Sequence, residues 1–471
     1  MIRLAIKDIL NAVVGHLITG NENVFINGVS TDSRTIKSGE LFFALEGPRF
    51  DGHRFVQDVL RKGAAGAVVN SKFKAQSSKF SIVQVEDTLK ALGDLAAYWR
   101  KKHRIPLVAV SGSCGKTTTK EMIASILKTS RCVLKTEGNL NNLIGLPLTL
   151  FSLNNIHKAV VVELGISEKG EMKRLAEICK PDVAVLTNIG EAHTDAMGNI
   201  EGVASAKGEL FQHIGNNGAA VINIDDPWLL KMGDSIAARK ITFSLKTKAD
   251  VMLKDCGADF KSVRSTDEIS ATFLSMGEEI PVKMKYTGIH NLSNAAAAIA
   301  ATLPLGATSE EIISGLEHTE PVPGRMEVIT SEKGFTIIDD TYNANPVSME
   351  AALKTLASMK GRKIAVLGDM LELGDIAQEA HKRIGRLVQE MGIDMLFVMG
   401  DFRKDFIKGA MDAGMASDTI YEAMDKNSLI KTLARIVKKG DAVLVKGSRA
   451  MTMEEVVQKL MSNIKAQSSN D

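Results

Sequence analysis

Residues Pro106–Lys120 read PLVAVSGSCGKTTTK, and this stretch decides the fold of the chain. The apolar run Leu107–Val110 predicts a buried strand, a turn of small residues follows, and Lys116-Thr117 begins a predicted helix. Such a turn leaves backbone N–H groups unpaired and directs them, together with the helix N-terminus, at one point. Phosphate is the usual ligand at such a point, so the stretch predicts a nucleotide site.

The turn is a shortened form of the phosphate-binding loop. The general pattern has a glycine where Val110 stands, so the pattern begins here at Gly112 and ends in Gly-Lys-Thr. In that pattern the lysine reaches the outer phosphates of a nucleotide and the next hydroxyl binds Mg²⁺. The alternative is a plain strand-to-helix turn with a surface lysine, and the combination of strand, turn, Gly-Lys-Thr and helix disfavours it. The predicted nucleotide-binding residues of the turn are Gly112, Ser113, Cys114, Gly115, Lys116, Thr117 and Thr118.

Composition excludes several classes of partner. The 471 residues carry 58 Lys and Arg against 56 Asp and Glu, a formal net charge of +2, which gives no electrostatic case for binding nucleic acid or an anionic membrane. No apolar run is long enough to insert across a bilayer. The four cysteines lie far apart without metal-ligand spacing, which favours reduced thiols in the cytoplasm. For Cys114, inside the turn, simple packing is favoured over a redox role.

Three domains are predicted from the order of apolar and polar segments. Residues 1–85 form a small α/β domain, residues 86–318 a central domain, and residues 319–471 a Rossmann-like α/β domain. Strands and helices alternate in the central domain, which predicts a parallel sheet covered on both faces, with a β-rich insert at roughly 241–286. The third domain is also doubly wound, but it contains no GxGxxG, so a nicotinamide site is rejected.

A hinge is predicted between the second and third domains. Pro321, Pro323 and Gly324 cluster there, within residues 319–324. Hinges of this kind let a domain swing when ligands bind. Without ligands the hinge therefore allows an open arrangement, in which Arg325 and Asp340 lie far from Lys116.

Polar residues directly after the central strands are the candidate metal ligands. Ligands of a doubly wound sheet bind beyond the carboxyl ends of its strands. Glu163 ends one apolar strand, and Asn188–His193 follow the next. By itself, Glu163 fits a helix cap equally well, and a single loop histidine such as His193 is more typical of polar surface than of a metal site. Together with Thr117 they predict convergence on a nucleotide, with up to two metals neutralising charge during phosphoryl transfer.

Ten segments, in the same order, resemble the Mur ligase family along essentially the whole chain. They are GSCGKTTTKE, GNLNNLIGLPLTL, VVELG, TNIGEAH, AKGEL, HNLSNAAAA, PGRMEV, DDTYNANP, LGDMLELG and KGSRAM. The resemblance implies an ATP-dependent ligase of peptidoglycan synthesis, cytoplasmic and monomeric, that passes the γ-phosphate of ATP to a peptide carboxylate before an amine attacks. DDTYNANP and LGDMLELG are the most specific segments. They imply that the substrates are a UDP-N-acetylmuramoyl-tripeptide and D-alanyl-D-alanine.

The resemblance also implies roles for individual residues. One Mg²⁺ would use Thr117 and Glu163, and a second would use His193 and a carbamoylated Lys207. The sequence alone favours a helix-surface lysine at Lys207, and only the resemblance assigns it to the metal. Lys116, His193 and Lys207 are the implied catalytic residues. The implied ATP contacts outside the turn are Asn291, Asn294, Arg325 and Asp340, with a helix cap as the competing interpretation of Asn291. The implied substrate contacts are Ser30, Thr31, Asp32, Ser33, Arg34, His53, Asn139, Asn141, Asn142, Tyr342, Asn343 and Lys446.

Two other functions remain open from the sequence. One is a related ligase with another amine acceptor, of the Mur or folylpolyglutamate type. The other is a nucleotide-binding scaffold without ligase chemistry, which the set Glu163, His193 and Lys207 argues against.

Overall fold

The computed structural model describes residues 2–48, 50–74, 80–256 and 269–468, and for 463–468 the backbone only. It contains three α/β domains, each built on its own large sheet, which confirms the expected fold class. Residues 257–268, part of the predicted β-rich insert, lie outside the described residues. Within the described residues, no helix combines the length and the apolar character that crossing a bilayer requires.

The N-terminal domain contains a five-stranded sheet in the order β2-β9-β8-β5-β4. Its strands are β1 Leu4–Ala5, β2 His16–Thr19, β3 Phe25–Ile26, β4 Val29–Ser30, β5 Leu41–Phe43, β6 Glu46–Gly47, β7 Phe50–Asp51, β8 Gly66–Asn70 and β9 Ser81–Val85. Its helices are α1 Ile6–Val13, α2 Val56–Arg61 and α3 Thr88–Lys102. β8 and β9 pair in parallel, as do β5 and β8, whereas β2 joins the edge antiparallel.

Helix α3 joins the first two domains. Asp87 begins it by accepting the N–H groups of Leu89 and Lys90 at 2.8 and 2.9 Å. Its buried face belongs to one hydrophobic core that includes Val83 of the first sheet and Leu146 of the central domain. The hydrophobic core is therefore continuous across residue 85, where the sequence predicts a domain boundary.

The central domain is a nine-stranded sheet in the order β11-β12-β10-β13-β14-β15-β16-β17-β18. Its strands are β10 Leu107–Ser111, β11 Val133–Lys135, β12 Ala159–Glu163, β13 Val183–Leu186, β14 Ala219–Asn223, β15 Arg239–Ser244, β16 Val251–Cys256, β17 Ile269–Ser275 and β18 Glu278–Met284. Its helices are α4 Lys116–Lys128, α5 Gly145–Phe151, α6 Glu171–Cys179, α7 Thr194–Met197, α8 Ile200–Gly208, α9 Pro227–Gly233, α10 Ile289–Thr302 and α11 Ser309–Glu317.

The β-rich region is an extension of this sheet and not a separate insert. β16 pairs in parallel with β15, and β17 and β18 then continue the sheet antiparallel. The alternating pattern of β17, buried at every second residue, reflects a strand with one solvated face. β10, in contrast, is buried at all five positions between β12 and β13. The loop after β10 therefore leaves the sheet where the strand order reverses, which is where ligands bind in such sheets.

The C-terminal domain has a six-stranded sheet in the order β19-β20-β24-β21-β22-β23. Its strands are β19 Glu327–Thr330, β20 Thr336–Asp340, β21 Lys363–Leu367, β22 Met395–Met399, β23 Ile420–Ala423 and β24 Ala442–Lys446. Its helices are α12 Pro346–Ser358, α13 Ala377–Glu390, α14 Arg403–Asp412, α15 Lys426–Ile436 and α16 Glu454–Ser468. Only β19 runs antiparallel, and a separate hydrophobic core covers each face. The doubly wound prediction is confirmed.

Candidate active site

The turn between β10 and α4 is built around two glycines. Gly112 has φ 141°, and a Cβ there would lie 2.0 Å from the hydroxyl oxygen of Thr187. Gly115 has φ 79° and begins α4; a Cβ there would lie 2.2 Å from Oδ1 of Asn294. Both positions thus require glycine on two grounds, conformation and space. The N–H groups of the first turn of α4 have no partner inside the helix and remain for a phosphate.

Replacing Gly115 with alanine is expected to weaken ATP binding by about 5–30-fold, since a left-handed alanine alone costs roughly 1–2 kcal/mol. The clash with Asn294 would add to that cost and displace the loop. Titration calorimetry with ATP measures the effect. Gly170→Ala is the matched control, because Gly170 also begins a helix at φ 83° but has open space around its Cβ. Equal ATP affinity in the two variants would contradict the role of Gly115.

The loop that follows β13 fixes the conformation of the turn. Ser113 donates its hydroxyl to the carbonyl of Gly190 at 3.0 Å and accepts the Gly190 N–H at 2.9 Å. The N–H of Cys114 donates to Oδ1 of Asn188 at 2.9 Å. Sequence reasoning considered Asn188 only as part of a segment with metal ligands. The structure gives it a different task, which is to hold the phosphate loop.

Cys114 and Lys116 are both half-buried, and burial changes the pKa of each. The ammonium of Lys116 donates to the carbonyl of Gly112 at 2.8 Å, and burial lowers its pKa. Lys116 is half-buried, which corrects the alternative of a surface lysine. Burial raises the pKa of the Cys114 thiol, so the reactive thiolate is disfavoured and the preference for a packing role is supported.

Thr117 and Glu163 are in direct contact, as their positions after neighbouring parallel strands predict. The hydroxyl of Thr117 donates to Oε2 of Glu163 at 2.7 Å, and the amide of Asn141 donates to Oε1 at 2.8 Å. Glu163 is only 2% exposed. A hydroxyl and a carboxylate are the hard oxygen donors that Mg²⁺ prefers, so the pair fits that ion. Across the described ranges no three His, Cys, Asp or Glu side chains form a metal cluster by themselves. Mg²⁺ commonly completes its shell with water and substrate phosphates.

His193 and Lys207, the other predicted metal ligands, lie in different settings. His193 lines a cavity of about 480 Å³ that lies between the central and C-terminal domains. Its Nδ1 lies 2.6 Å from Oε2 of Glu372 in the C-terminal domain. A histidine with a carboxylate on one ring nitrogen keeps the other for a metal, so His193 fits a ligand role. Lys207, on α8, is 2% exposed and does not line the cavity. Burial, and then the charge of Lys116, lower the pKa of Lys207 to about 7.

Asn291 and Asn294, two of the predicted ATP contacts, are buried at the start of α10. The amide of Asn294 donates to Oδ1 of Asn291 at 2.9 Å, and that of Asn291 donates to the carbonyl of Thr287 at 2.8 Å. Gly288 is the residue that begins the helix, so the interpretation of Asn291 as a cap is wrong. Both asparagines line the cavity.

His290 is a cavity residue that sequence reasoning missed. Its Nδ1 is buried and has no hydrogen-bond partner among the described residues, and burial lowers its pKa to about 4. A neutral imidazole with an unused polar atom suits a neutral ligand group. The available signal was its position directly before Asn291 in HNLSN.

The C-terminal domain contributes a second set of polar groups. The guanidinium of Arg325 lies 3.9 Å from the ring centroid of Tyr342, and its Nε is buried without a partner within the described residues. Asp340 accepts the N–H of Met326 at 3.1 Å and also pairs with the ammonium of Lys446. Arg325, Asp340 and Tyr342 all line the cavity.

Lys446 and Asn343 are engaged within their own domain. The Lys446 side chain is 2% exposed, and its ammonium also donates to the carbonyl of Asn343 at 2.9 Å. Oδ1 of Asn343 accepts the N–H of Arg449 at 3.3 Å. In this arrangement Lys446 holds Asp340 and the Asn343 backbone, so a direct substrate contact by its ammonium would need these bonds to open.

Residues of both the central and the C-terminal domains line this cavity of about 480 Å³. Among its lining residues are Lys116, Asn139, Asn142, Glu163, His193, Asn291, Asn294, Arg325, Asp340, Tyr342, Asn343 and Lys446. The thiol of Cys114 donates to Oδ1 of Asn345 at 3.2 Å, and Nδ2 of Asn345 donates to the carbonyl of Ser113 at 3.3 Å. The arrangement is therefore closed and not the open one that the hinge allows. Asn345, which the sequence analysis did not single out, joins the domains at the phosphate loop.

The predicted N-terminal residues lie apart from this cavity. Arg34 and Asp32 form an exposed pair at 2.7 Å, which lowers the pKa of Asp32 to about 2. Ser33 and Arg34 line a separate surface depression with Phe55, Asp58, Arg61 and Lys62. Arg61 and Lys62 add positive charge that sequence reasoning did not identify.

Ser30, Thr31 and His53 complete the predicted N-terminal set. Ser30 and Thr31 are half-buried, and the Ser30 hydroxyl accepts the N–H of Asp32 at 3.2 Å. His53 is engaged inside the domain: its Nδ1 lies 2.6 Å from Asp51, and its Nε2 accepts the N–H of Asn70 at 3.0 Å. Both ring nitrogens of His53 are therefore occupied in this conformation.

Comparison with known proteins gives a consistent result. Models of the Mur ligase middle domain, of the Mur ligase glutamate ligase domain and of the Mur ligase family catalytic domain match residues 110–302, 324–449 and 25–100. The UDP-N-acetylmuramoyl-tripeptide–D-alanyl-D-alanine ligase of Bacillus subtilis is 36% identical, with 98% of this chain and 99% of the relative covered.

Solved structures of MurF are similar over nearly all of the chain. The crystal structure of MurF from Acinetobacter baumannii has a TM-score of 0.90 at 32% identity, with coverage of 98% and 99%. MurF ligase from Thermotoga maritima in complex with ADP has a TM-score of 0.83 at 32% identity, with coverage of 94% and 98%. The phosphate loop, its strand-end partners and the closing third domain thus occur in a chain that matches these proteins over 94% or 98% of its length, and this chain belongs to the Mur ligase family.

Proposed function

We propose that this chain is an ATP-dependent amide ligase that joins D-alanyl-D-alanine to UDP-N-acetylmuramoyl-tripeptide. The peptide carboxylate takes the γ-phosphoryl group of ATP, which releases ADP and leaves an acyl phosphate. The amine of the dipeptide then attacks the acyl carbon, orthophosphate leaves, and the amide of the pentapeptide precursor of peptidoglycan forms. The observation that carries the proposal is the closed cavity, in which the phosphate loop faces Arg325 and Asp340 of another domain.

Positive charge makes this first step possible. A carboxylate and a triphosphate repel each other, so the site must neutralise both before they meet. Lys116 and Arg325 provide fixed positive charge from opposite sides, close enough for Arg325 to lower the pKa of Lys116. The desolvated cavity strengthens their attraction for the charge that spreads over the transferred group.

Mg²⁺ would be held at two places. Thr117 and Glu163 would hold one ion, as their buried contact at 2.7 Å allows. His193 and a carbamoylated Lys207 would hold the second. The Lys207 amine is buried without an acidic partner among the described residues, and a carbamate would turn it into an anionic ligand. When bound, the ions supply charge neutralisation and orient the phosphates.

The remaining cavity residues bind and orient the substrates. Asn291 and Asn294 suit the polar edge of adenine, and Asp340 suits ribose hydroxyls. Asn139 and Asn142 line the cavity on the side of the central domain and suit the muramoyl-peptide. Asn141 acts instead through Glu163, because its amide holds that carboxylate.

The N-terminal depression suits the UDP moiety. Arg34, Arg61 and Lys62 lie there together with one carboxylate, Asp58, which pairs with Arg61. A diphosphate is the ligand that such an excess of positive charge attracts. The proposal includes a monomer in the cytoplasm, where ATP and reducing conditions occur. The four free cysteines are consistent with that compartment.

Phosphate release is expected only when ATP, UDP-N-acetylmuramoyl-tripeptide and D-alanyl-D-alanine are all present. If the tripeptide carries ¹⁸O in its terminal carboxylate, one labelled oxygen is expected in the orthophosphate. That oxygen bridges carbon and phosphorus in the acyl phosphate and leaves with phosphorus. Mass spectrometry of the released phosphate measures it. Unlabelled phosphate accompanied by amide formation would exclude the acyl phosphate.

Acceptors tested one at a time separate the alternatives. A ligase with another acceptor would release phosphate with a single amino acid or with glutamate and not with the dipeptide. A scaffold would bind ATP and release no phosphate with any acceptor. Both tripeptide precursors, with lysine or diaminopimelate at the third position, belong in the assay.

A further inference from the structure

The segment LGDMLELG, residues 367–374, has no role in the reaction described above, yet hydrogen bonds from its backbone and from the Asp369 side chain hold it in place. The carboxylate of Asp369 accepts the N–H groups of Asp401 and Phe402 at 2.7 and 3.2 Å. The N–H of Leu371 donates to the hydroxyl of Ser448 at 2.8 Å. The Glu372 side chain, in contrast, is 62% exposed and extends from this rigid segment toward the central domain.

Glu372 meets the loop of His193 at more than one point. Oε2 of Glu372 lies 2.6 Å from Nδ1 of His193, and the carbonyl of Glu372 accepts the N–H of Asp195 at 3.3 Å. The next residue, Leu373, accepts the hydroxyl of Thr194 at 3.0 Å through its carbonyl. Hydrogen bonds to the backbone therefore align the two segments side by side, and the contact between His193 and Glu372 is not an isolated surface pair.

Both partners have an unfavourable backbone conformation. His193 has φ 58° and Glu372 has φ 62°, in the left-handed region that residues other than glycine rarely adopt. Such conformations persist where the surrounding structure requires them, and they cluster at functional sites. His193 and Glu372 are among several residues with positive φ in their domains, and these two side chains face each other across the domain interface.

We propose that Glu372 is a positioning residue: when the C-terminal domain closes, its carboxylate accepts the Nδ1–H of His193 and so presents Nε2 to Mg²⁺. In a neutral imidazole only one nitrogen carries the proton, and the carboxylate decides which one. Metal-binding histidines generally donate their second nitrogen to such a partner, which fixes the ring orientation. Because the partner comes from another domain, metal binding at His193 becomes coupled to closure.

The test compares Glu372→Ala and Glu372→Gln with the wild-type full chain. The Mg²⁺ concentration for half-maximal turnover is expected to rise about 10–100-fold in Glu372→Ala, the usual effect of losing such a partner. Glu372→Gln keeps an acceptor oxygen without the charge, so a smaller rise is expected. This turnover assay rests on the proposed ligase function, whereas the next readout does not. A second readout, independent of turnover, is the ¹⁵N NMR signature of the His193 ring, assigned with His193→Gln and measured with ADP and Mg²⁺.

The wild type is expected to show the Nδ1–H form of His193, and Glu372→Ala is expected to lose it. Arg383→Ala is the matched control, because Arg383 pairs with Glu191 across the same interface and does not contact His193. It is expected to keep both the His193 signature and the Mg²⁺ dependence. An unchanged His193 signature in Glu372→Ala would overturn the proposal, even if Mg²⁺ dependence changed. So would equal Mg²⁺ dependence in Glu372→Ala and Arg383→Ala, since Glu372 would then be only a latch. If no ligase turnover occurs, the NMR result still decides the role of Glu372.

Discussion

Alanine in place of Lys116 is expected to lower kcat by about 10²–10³-fold, the usual effect of removing one group that stabilises transition-state charge. Lys116 is the cation that the phosphate loop itself presents, and its ammonium already lies at the loop carbonyl of Gly112. Without it, Arg325 alone would face the transferred group from the protein side. Steady-state kinetics with all three substrates measures the effect.

The fold is expected to tolerate this change. The ammonium makes one hydrogen bond, of 2.8 Å, and burial already disfavours its charge, so removing it costs little. A change in Tm of no more than a few degrees is expected, in line with a cost of about 1 kcal/mol. Lys128→Ala is the matched control, because Lys128 lies exposed at the other end of α4. A cooperative fold with wild-type kcat in Lys116→Ala would refute the phosphate role.

Alanine in place of Lys207 is expected to reduce kcat by at least about 100-fold, comparable to losing one electrostatic group of the site. The physical reason is the sign of the charge: an amine cannot bind a metal cation as a carbamate can. Adding acetate is expected to restore part of the activity, because the truncated side chain leaves room for a carboxylate. Bicarbonate is expected to restore none, since alanine has no amine to modify.

Acetamide controls for the space that the substitution opens. It has nearly the shape of acetate but no charge, so rescue by acetate alone identifies the missing group as an anion. Equal rescue by both would show that Lys207 only fills volume. Full activity of Lys207→Ala without additives would refute the carbamate. Carbon-13 NMR of the wild type with labelled bicarbonate detects the modification directly.

Strands that are buried on both faces are written in local sequence, whereas the sheet that a strand joins is not. β10, β12 and β13 follow from apolar runs, and β10 extends one residue beyond the predicted Leu107–Val110. The convergence of Thr117 and Glu163 follows from strand order, since carboxyl ends of neighbouring parallel strands meet. The β-rich region was harder, because alternation identifies strands but not the sheet that they join. β16 extends the central sheet through a pairing with β15 that no local pattern specifies.

The sequence by itself determined the phosphate loop, the order of the elements and the family, because each is written in consecutive residues. Only the tertiary structure decided which polar groups are free. Lys446 is engaged by Asp340, His53 by Asp51 and Asn70, and His193 by Glu372. The physical reason is that a side chain's availability depends on partners far away in the chain. Burial removes water as a partner, so those long-range contacts decide whether a polar group supports the fold or remains for a ligand.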